Sequence, residues 1–471
     1  FEGLDTYADV YLNDECILKA DNMFRRWSIP VRQYIREENN ILKVYFHSPV
    51  KIDVPKWDAL PYQYPASNDQ SENGGLFNKK ISIFARKAGY HYGWDWGPRL
   101  VTSGIWRPVY IRAWSDLRIN DVFIEQKEVG AGRAVIAGHV ELDADKDMNG
   151  VLVTITDEVT GRVLGEWQAD LKRGTNRVTV DFVLHKPKLW WSNGLGEPFL
   201  YRFRTDIIAG GELLDSKTER VGIRSLKVVH QPDKDGHTFY IELNGRPVFA
   251  KGANYIPSDN FLPRVTPENY KRTILDAAGV NMNMLRVWGG GIYENDVFYD
   301  LCDEYGIMIW QDFMFACSMY PAEGALLDNI HQEAVDNVKR LRNHACIALW
   351  CGNNECQDAW LGWGWKCEIE RQNKEYADKI WAQYRQQYHV TLPGVVREYA
   401  PGTFYWPSSP FAFEGEMSGT TDGDRHYWSV WHGKAPISDY DSEKSRFFSE
   451  YGFQSFPEFE SVKRYAPYPE D

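Results

Sequence analysis

The sequence predicts a multidomain chain: a jelly-roll-like β-sandwich, an immunoglobulin-like β-sandwich, and a (β/α)8 TIM barrel that stops before its last strand. Three observations point there. The 471 residues are enough for about three domains of ordinary size. The first half is patterned as short β-strands separated by turn residues. From about residue 226 the rhythm changes to strand–helix alternation.

In residues 1–115 the stretches 6–13, 40–47 and 107–113 alternate or are rich in Val, Ile and Tyr. A polar, aromatic insertion at 54–77 reads as a long loop, the kind that tends to carry function. The run Tyr90-His91-Tyr92-Gly93-Trp94-Asp95-Trp96-Gly97-Pro98 follows it. Residues 116–225 give strands at 119–125, 133–142, 151–156, 177–184, 200–208 and 218–229, with Asn149-Gly150 and Asn193-Gly194 as turn signals. No motif in that region carries chemistry.

In residues 226–471 the strand candidates are 248–255, 282–288, 308–312, 347–350, 403–406, 427–431 and 446–449. Helices fill the gaps. Thr266 caps one, with Pro267 at its first position. Phe298, Leu301, Cys302 and Tyr305 fall at i, i+3, i+4 and i+7 ahead of Gly306, a helix with its C-terminal stop. Ile330, Ala334, Val338 and Leu341 make a third apolar stripe. Seven strands fall one short of a barrel of eight, and the chain ends at Asp471 soon after the seventh. The last strand is therefore expected to be missing. Phe1-Glu2-Gly3-Leu4 reads like the middle of a sheet, so the N-terminus is expected to be cut too, and the lack of a targeting segment says nothing of compartment. A doubly wound sheet is the other α/β option, but no Gly-rich dinucleotide turn follows any strand.

Composition narrows the chemistry. The formal charge, 53 − 66 = −13, repels phosphate backbones and argues against nucleic acid. No run of roughly 18 apolar residues exists, so no membrane insertion is expected. The 19 Trp, 27 Tyr and 23 Phe fit a carbohydrate handler, since sugar C–H faces pack on such rings, or equally aromatic-rich β cores. Of the seven Cys, Cys346, Cys351 and Cys356 recur every five residues, unlike zinc knuckles. They read as reduced core thiols without a disulfide framework. There is no G-x-S-x-G elbow, phosphate loop or H-E-x-x-H. Gly289-Gly290-Gly291 lacks a phosphate cradle's lysine and reads as a turn over the barrel rim.

In such a barrel, active groups collect at the C-terminal strand ends. Those ends offer Asn254 and Tyr255, Arg286 and Trp288, Asp312, Asn354 and Glu355, Trp406, His432 and Glu450. A lone Glu is usually a solvated charge. Two at strand ends, in aromatic surroundings, are the working parts of a glycosidase. Asn354 suits a sugar 2-hydroxyl or a loop cap. Trp288, Trp360, Trp363 and Trp365 suit pocket walls or aromatic core, and Arg286 is a charge partner for Glu450. Glu355 must be protonated when substrate binds, which a desolvated site favours.

At these residues a resemblance becomes specific. Trp350-Cys351-Gly352-Asn353-Asn354-Glu355, Leu285-Arg286-Val287-Trp288-Gly289-Gly290-Gly291, Phe404-Tyr405-Trp406-Pro407-Ser408-Ser409 and Phe448-Ser449-Glu450-Tyr451-Gly452-Phe453-Gln454-Ser455 resemble the β-mannosidases of glycoside hydrolase family 2. Gly93-Trp94-Asp95-Trp96-Gly97-Pro98 and Asn193-Gly194-Leu195-Gly196 do so as well. β-Galactosidases of that family resemble Gly-Asn-Glu where this chain has Gly-Asn-Asn-Glu. The resemblance implies a sugar-binding-like first domain, and C-terminal β domains beyond this chain. It also implies a retaining double displacement that removes terminal non-reducing β-D-mannose from an oligosaccharide or glycoconjugate. By the same resemblance Glu450 is the nucleophile, Glu355 the acid/base, Asn354 binds the 2-hydroxyl and Trp288 lines the −1 subsite. Trp94 and Asp95 reach in from the first domain, contact mannose hydroxyls and close the pocket for exo action. Trp363 is a further carry-over, and an aromatic or His from His426-Tyr427-Trp428 is expected beside the nucleophile. No metal or organic cofactor is required. Endo-β-mannosidase action, another activity of the family (β-galactosidase, β-glucuronidase, exo-glucosaminidase) and a non-catalytic carbohydrate-binding protein are the alternatives. Bacterial enzymes of this kind are often periplasmic and animal ones lysosomal.

Overall fold

The computed structural model describes residues 1–453, 457–468 and 470; Gln454 and Ser455, which close one motif quoted above, lie outside the described residues. The molecule is multidomain, β-rich first and α/β afterwards.

In the first region Tyr7–Leu12, Glu15–Asp21 and Leu42–Phe46 form an antiparallel sheet, and Leu4–Asp5 pairs with Gly104–Ile105. Residues 107–113, strand-like in composition, join no ladder among the described residues and run mostly exposed. The expected loop at 54–77 starts inside a helix, Pro49–Ala59, because Ser48 caps the Lys51 amide and Pro49 takes the first turn. Past that helix the chain leans on the α/β region. Tyr62 stacks on Tyr376 at 4.4 Å, and Arg86 makes two 2.7 Å bonds to Glu333, both residues buried.

Leu117–Val129, Arg133–Ala144 and Gly174–His185 make one sheet of the sandwich; Met148–Asp157, Arg162–Leu171, Tyr201–Ala209 and Glu212–Val221 make the other. Period-two burial drives their packing: Val178, Val180, Phe182 and Leu184 point into the same core as Val153, Ile155 and Phe203. Arg162–Leu171 was not expected, since it is an edge strand whose one fully buried residue is Leu171. The expected strand at 218–229 splits at Gly222. A Cβ there would lie 2.6 Å from the Ala345 Cβ and 2.8 Å from that of Trp190, so the chain turns at a tight joint.

The α/β region holds the strands β1 (Gly252–Tyr255), β2 (Met284–Val287), β3 (Met308–Asp312), β4 (Ile347–Cys351) and β5 (Phe404–Trp406) in one parallel sheet, in that order. Every residue of β3 and β4 is buried, which is why β4 reads as a continuous apolar run and β3 as one up to Gln311 and Asp312. β6 (Arg425–Tyr427) and β7 (Phe448–Tyr451) form a second parallel pair. Asn254 on β1 donates to the Ser449 carbonyl on β7 at 3.0 Å. Among the described residues β5 and β6 share no ladder, so the sheet is not a closed barrel. β6 ends where a strand was expected to begin: residues 428–433 fold into a turn, with the His432 amide on the Trp428 carbonyl at 2.8 Å. The helices Pro267–Gly279, capped by Thr266, and Asp296–Tyr305, stopped by left-handed Gly306, fall as the sequence indicates.

Between β2 and the second of these helices lies Glu294, whose Oε2 accepts from the Tyr270 hydroxyl at 2.5 Å. Burial pushes its carboxyl from 4.5 up to about 7. A raised folded-state value means the stabilisation is complete below the unfolded value and fades as pH rises to about 7, a loss of roughly 3 kcal/mol. Glu294→Gln is expected to remove that slope. Melting curves of the two proteins at about pH 5 and about pH 8 should show the parent losing ground to the variant.

Candidate active site

Arg286 is the one charged residue of β2, and it organises what surrounds it. Its Nη1 donates to Glu450 Oε1 at 2.6 Å and to Asn254 Oδ1 at 2.9 Å. Its Nη2 donates to Asp312 Oδ2 and to Asn354 Oδ1, both at 2.8 Å. Burial disfavours the guanidinium charge, but Asp312 and Glu450 outweigh it and raise the pKa. Asp312, on β3, is pushed by burial to about 6 despite Arg286. It also accepts from the Gly289 amide at 3.0 Å. A Cβ at Gly289 would sit 2.4 Å from the Phe315 carbonyl, so this position of the glycine run needs glycine for close approach.

Beyond the strand ends the sheet pattern continues through isolated bridges joining Ala316, Asn354 and Ser409. Cys317, Glu355 and Ser409 therefore sit side by side. Glu355 has a left-handed backbone (φ 60°) and opens the helix Cys356–Gly362; its amide donates to the Ser409 carbonyl at 2.7 Å. Such a conformation is costly for a residue with a Cβ, and it aims the carboxyl back over the sheet. Glu355 Oε1 lies 2.8 Å from His426 Nδ1, and Oε2 accepts from the Cys317 thiol at 3.2 Å. Burial raises the pKa of this carboxyl.

Glu450 lies within β7, a position further inside the strand than expected. Its Oε2 accepts from Trp428 Nε1 at 3.2 Å and lies 3.5 Å from His426 Nδ1. Ligand atoms of Glu355, His426 and Glu450 all fall within 4.8 Å of one another. Retaining glycosidases hold their carboxyls about 5–5.5 Å apart and inverting ones about 6.5–9.5 Å. The geometry suits direct displacement. The same three side chains are spaced to hold a cation, as are Asp303, His344 and Cys346. In the first set Arg286 already answers Glu450, and in the second Asp303 accepts from His344 and the Cys346 amide.

Trp288 is buried, with Trp94 edge-on to it at 4.7 Å and Trp96 at 5.8 Å, so the first region reaches the strand ends. Asp95, between them, is exposed and bonds to no other described residue. Of the trio His426-Tyr427-Trp428, the first and third face Glu450. Tyr427 is turned to the other side of β6, packed on Tyr440 and Phe448. Trp363 is 43% exposed against Trp365, while Trp360 is core, stacked on Trp381. His432, counted among the strand ends, is exposed in the turn after β6, and His426 holds the place between the carboxyls. Sequence reasoning gave no role to Cys317, Asp424 or Ser409, the last quoted only as the end of a motif; Asp424 could have been suspected as an acid directly ahead of an inward-facing strand.

Two family models match the chain: "Glycosyl hydrolase 2 galactose-binding domain-like" over residues 1–107 and "Glycosyl hydrolases family 2" over residues 117–224. Residues 1–107 and 117–224 are thus domains of glycoside hydrolase family 2. The chain is 36% identical to Beta-mannosidase B of Thermothelomyces thermophilus over 474 residues, covering 99% of this chain and 54% of the relative. Against Beta-mannosidase B of Aspergillus fumigatus the figures are 37%, 98% and 54%. The crystal structure of β-D-mannosidase from Dictyoglomus thermophilum superposes with a TM-score of 0.88 at 37% identity, over 100% of this chain and 55% of that one. A β-glucuronidase of Bacteroides uniformis shares the fold, with a TM-score of 0.63 at 19% identity, over 86% of this chain and 43% of that one. The chain spans about half the length of the curated relatives it matches.

Proposed function

We propose that this chain carries the catalytic machinery of a retaining exo-β-mannosidase, which removes terminal β-D-mannose from the non-reducing end of oligosaccharides or glycoconjugates. The observation that carries the reading is the pair Glu355 and Glu450, within direct-displacement reach yet held by different partners. Glu450, fixed by Arg286 and Trp428, attacks C1. Glu355, whose pKa burial raises, supplies the leaving-group proton and later activates water. The Asn354 amide gives one proton to Cys317 at 3.3 Å and has a second for the mannose 2-hydroxyl. Trp288 and Trp94 wall the sugar, and exposed Asp95 meets its outer hydroxyls. In this reading the domains are 1–115, 116–225 and 226–471, and β1 to β7 are seven strands of a (β/α)8 barrel.

The test is a panel of p-nitrophenyl glycosides, in which the β-D-mannoside should be cleaved ahead of the galactoside, glucuronide and glucosaminide. A β-mannotriose labelled at its reducing end should lose single mannose units. Preference for another sugar refutes the specificity, and release of a labelled monosaccharide first refutes exo action. Trp94→Ala is expected to raise KM by about tenfold or more, since it removes a ring packed edge-on against Trp288 in the pocket wall.

A further inference from the structure

We propose that Asp424 and Ser409 are positioning residues: they lock His426 in the tautomer whose bare Nδ1 faces Glu355, which keeps the resting proton on that carboxyl. The inference rests on Glu355 being the acid/base. Asp424 is fully buried just ahead of β6 and is surrounded by donors. Its Oδ1 accepts from Trp406 Nε1 at 2.8 Å and the Phe411 amide at 2.9 Å. Its Oδ2 accepts from Ser409 Oγ at 2.6 Å and from Ser449 Oγ. A hydroxyl has one proton, so with Ser409 donating to Asp424, its oxygen can only accept from His426 Nε2, 3.0 Å away. Nε2 therefore carries the ring hydrogen.

In a neutral imidazole Nδ1 is then a lone pair. It faces Glu355 Oε1 at 2.8 Å and Glu450 Oε2 at 3.5 Å. A lone pair between two carboxylate oxygens is repulsive unless one of them carries a proton. Glu450 already accepts from the Arg286 guanidinium and Trp428, whereas Glu355 has only uncharged donors, the Cys317 thiol and the Asn354 amide, besides His426. The proton thus sits on Glu355 Oε1 and is donated to Nδ1. Around the ring, Glu450 and Asp424 favour an imidazolium; burial, the larger effect, and Arg286 oppose it and bring the pKa to about 4. Besides His426 and Glu450, the groups that face Glu355 are the Cys317 thiol, Arg286, the Asn354 amide and His432, with Asp358 and Cys356 on the helix it opens.

During the first displacement the Glu355 proton goes to the glycosidic oxygen, the C1–O electron pair leaves with the aglycone, and C1 bonds to Glu450. In the second, water gives a proton back to Glu355 while its oxygen bonds C1 and Glu450 leaves. The histidine keeps its tautomer throughout, so each turnover returns the proton to the same atom.

Ser409→Ala and Asp424→Asn free the ring to carry hydrogen on Nδ1, where it would stabilise the Glu355 anion. For a substrate with a poor leaving group, such as β-mannobiose, the basic limb of kcat/KM should then move to lower pH by about one unit, near tenfold in rate on that limb. With 2,4-dinitrophenyl β-D-mannoside, which needs no protonation, kcat/KM should stay unchanged, and Ser409→Thr should restore the limb. An unmoved limb in both variants, or equal losses on both substrates at every pH, overturns the proposal. Nitrogen-15 NMR of the unmutated chain, assigned with His426→Asn, reads the tautomer whether or not the variants fold; a protonated Nδ1 overturns it as well. Glu355→Ala tested with azide on the dinitrophenyl substrate separates the two levels. Without rescue the acid/base reading itself fails; rescue with an unmoved limb sinks the tautomer alone.

Discussion

Glu450→Ala is expected to lower turnover of an aryl β-mannoside by at least about 10⁴-fold while leaving the melting temperature close to that of the parent. The activity loss is large because the carboxylate that attacks C1 in the proposed reaction is gone. The fold should survive because Arg286 retains Asp312, Asn254 and Asn354 as partners. Azide separates the two carboxyls by stereochemistry. In Glu450→Ala it enters from the vacated nucleophile side and gives an α-mannosyl azide. In Glu355→Ala the mannosyl-enzyme still forms on activated substrates, and azide opens it from the opposite face to give the β anomer. A 2-fluoro-mannoside should label Glu450, read by mass spectrometry of the peptide containing β7. Equal anomers from both variants, or label on another residue, would remove the double displacement.

Much of this arrangement is legible in the sequence, and what is not has identifiable causes. β3 and β4 announce themselves because both faces are buried, so apolar residues run unbroken from Met308 to Trp310 and from Ile347 to Cys351. Their ends deliver Asn354 and Glu355, just as Arg286 stands out as the single charge on β2. β6 was misplaced because Trp428-Ser429-Val430-Trp431 has strand composition yet folds as a turn, and propensity does not see tertiary context. With the strand at Arg425–Tyr427, the two-residue period sends His426 and Trp428 inward and Tyr427 outward. Cys317, Ser409 and Asp424 escaped for another reason. Their partners are far off in the chain: Glu355 lies 38 residues from Cys317, while Asp424 is reached from both Ser409 and Ser449. No local pattern encodes such contacts. The edge strand Arg162–Leu171 buries too little to mark its face, a limit of patterning rather than of chemistry.

Arg286→Met should destabilise the protein by about 3–5 kcal/mol, the cost of leaving buried carboxylates without their cation. Two acids are stranded at once: Asp312, fully buried, and Glu450, 8% exposed. They can escape only by taking up protons, and Asp312 already sits near 6 with the guanidinium in place. Without it that value climbs further. A raised folded-state pKa gives stability that is complete below the unfolded value and is lost as pH rises through the folded one. The deficit of the variant should therefore shrink as pH falls from about 7 to about 5, whereas a simple packing defect would be flat in pH. Arg286→Lys retains the charge but not the fork that reaches four partners, so it should recover much of the stability and little of the activity. The double variant Arg286→Met/Asp312→Leu should regain stability over the single one, since an apolar pair replaces a stranded charge. It should remain inactive, because Glu450 loses the 2.6 Å contact that orients it. A single variant costing under about 1 kcal/mol, flat in pH, would mean the guanidinium compensates no buried charge, and the electrostatic account of the site would fall with it.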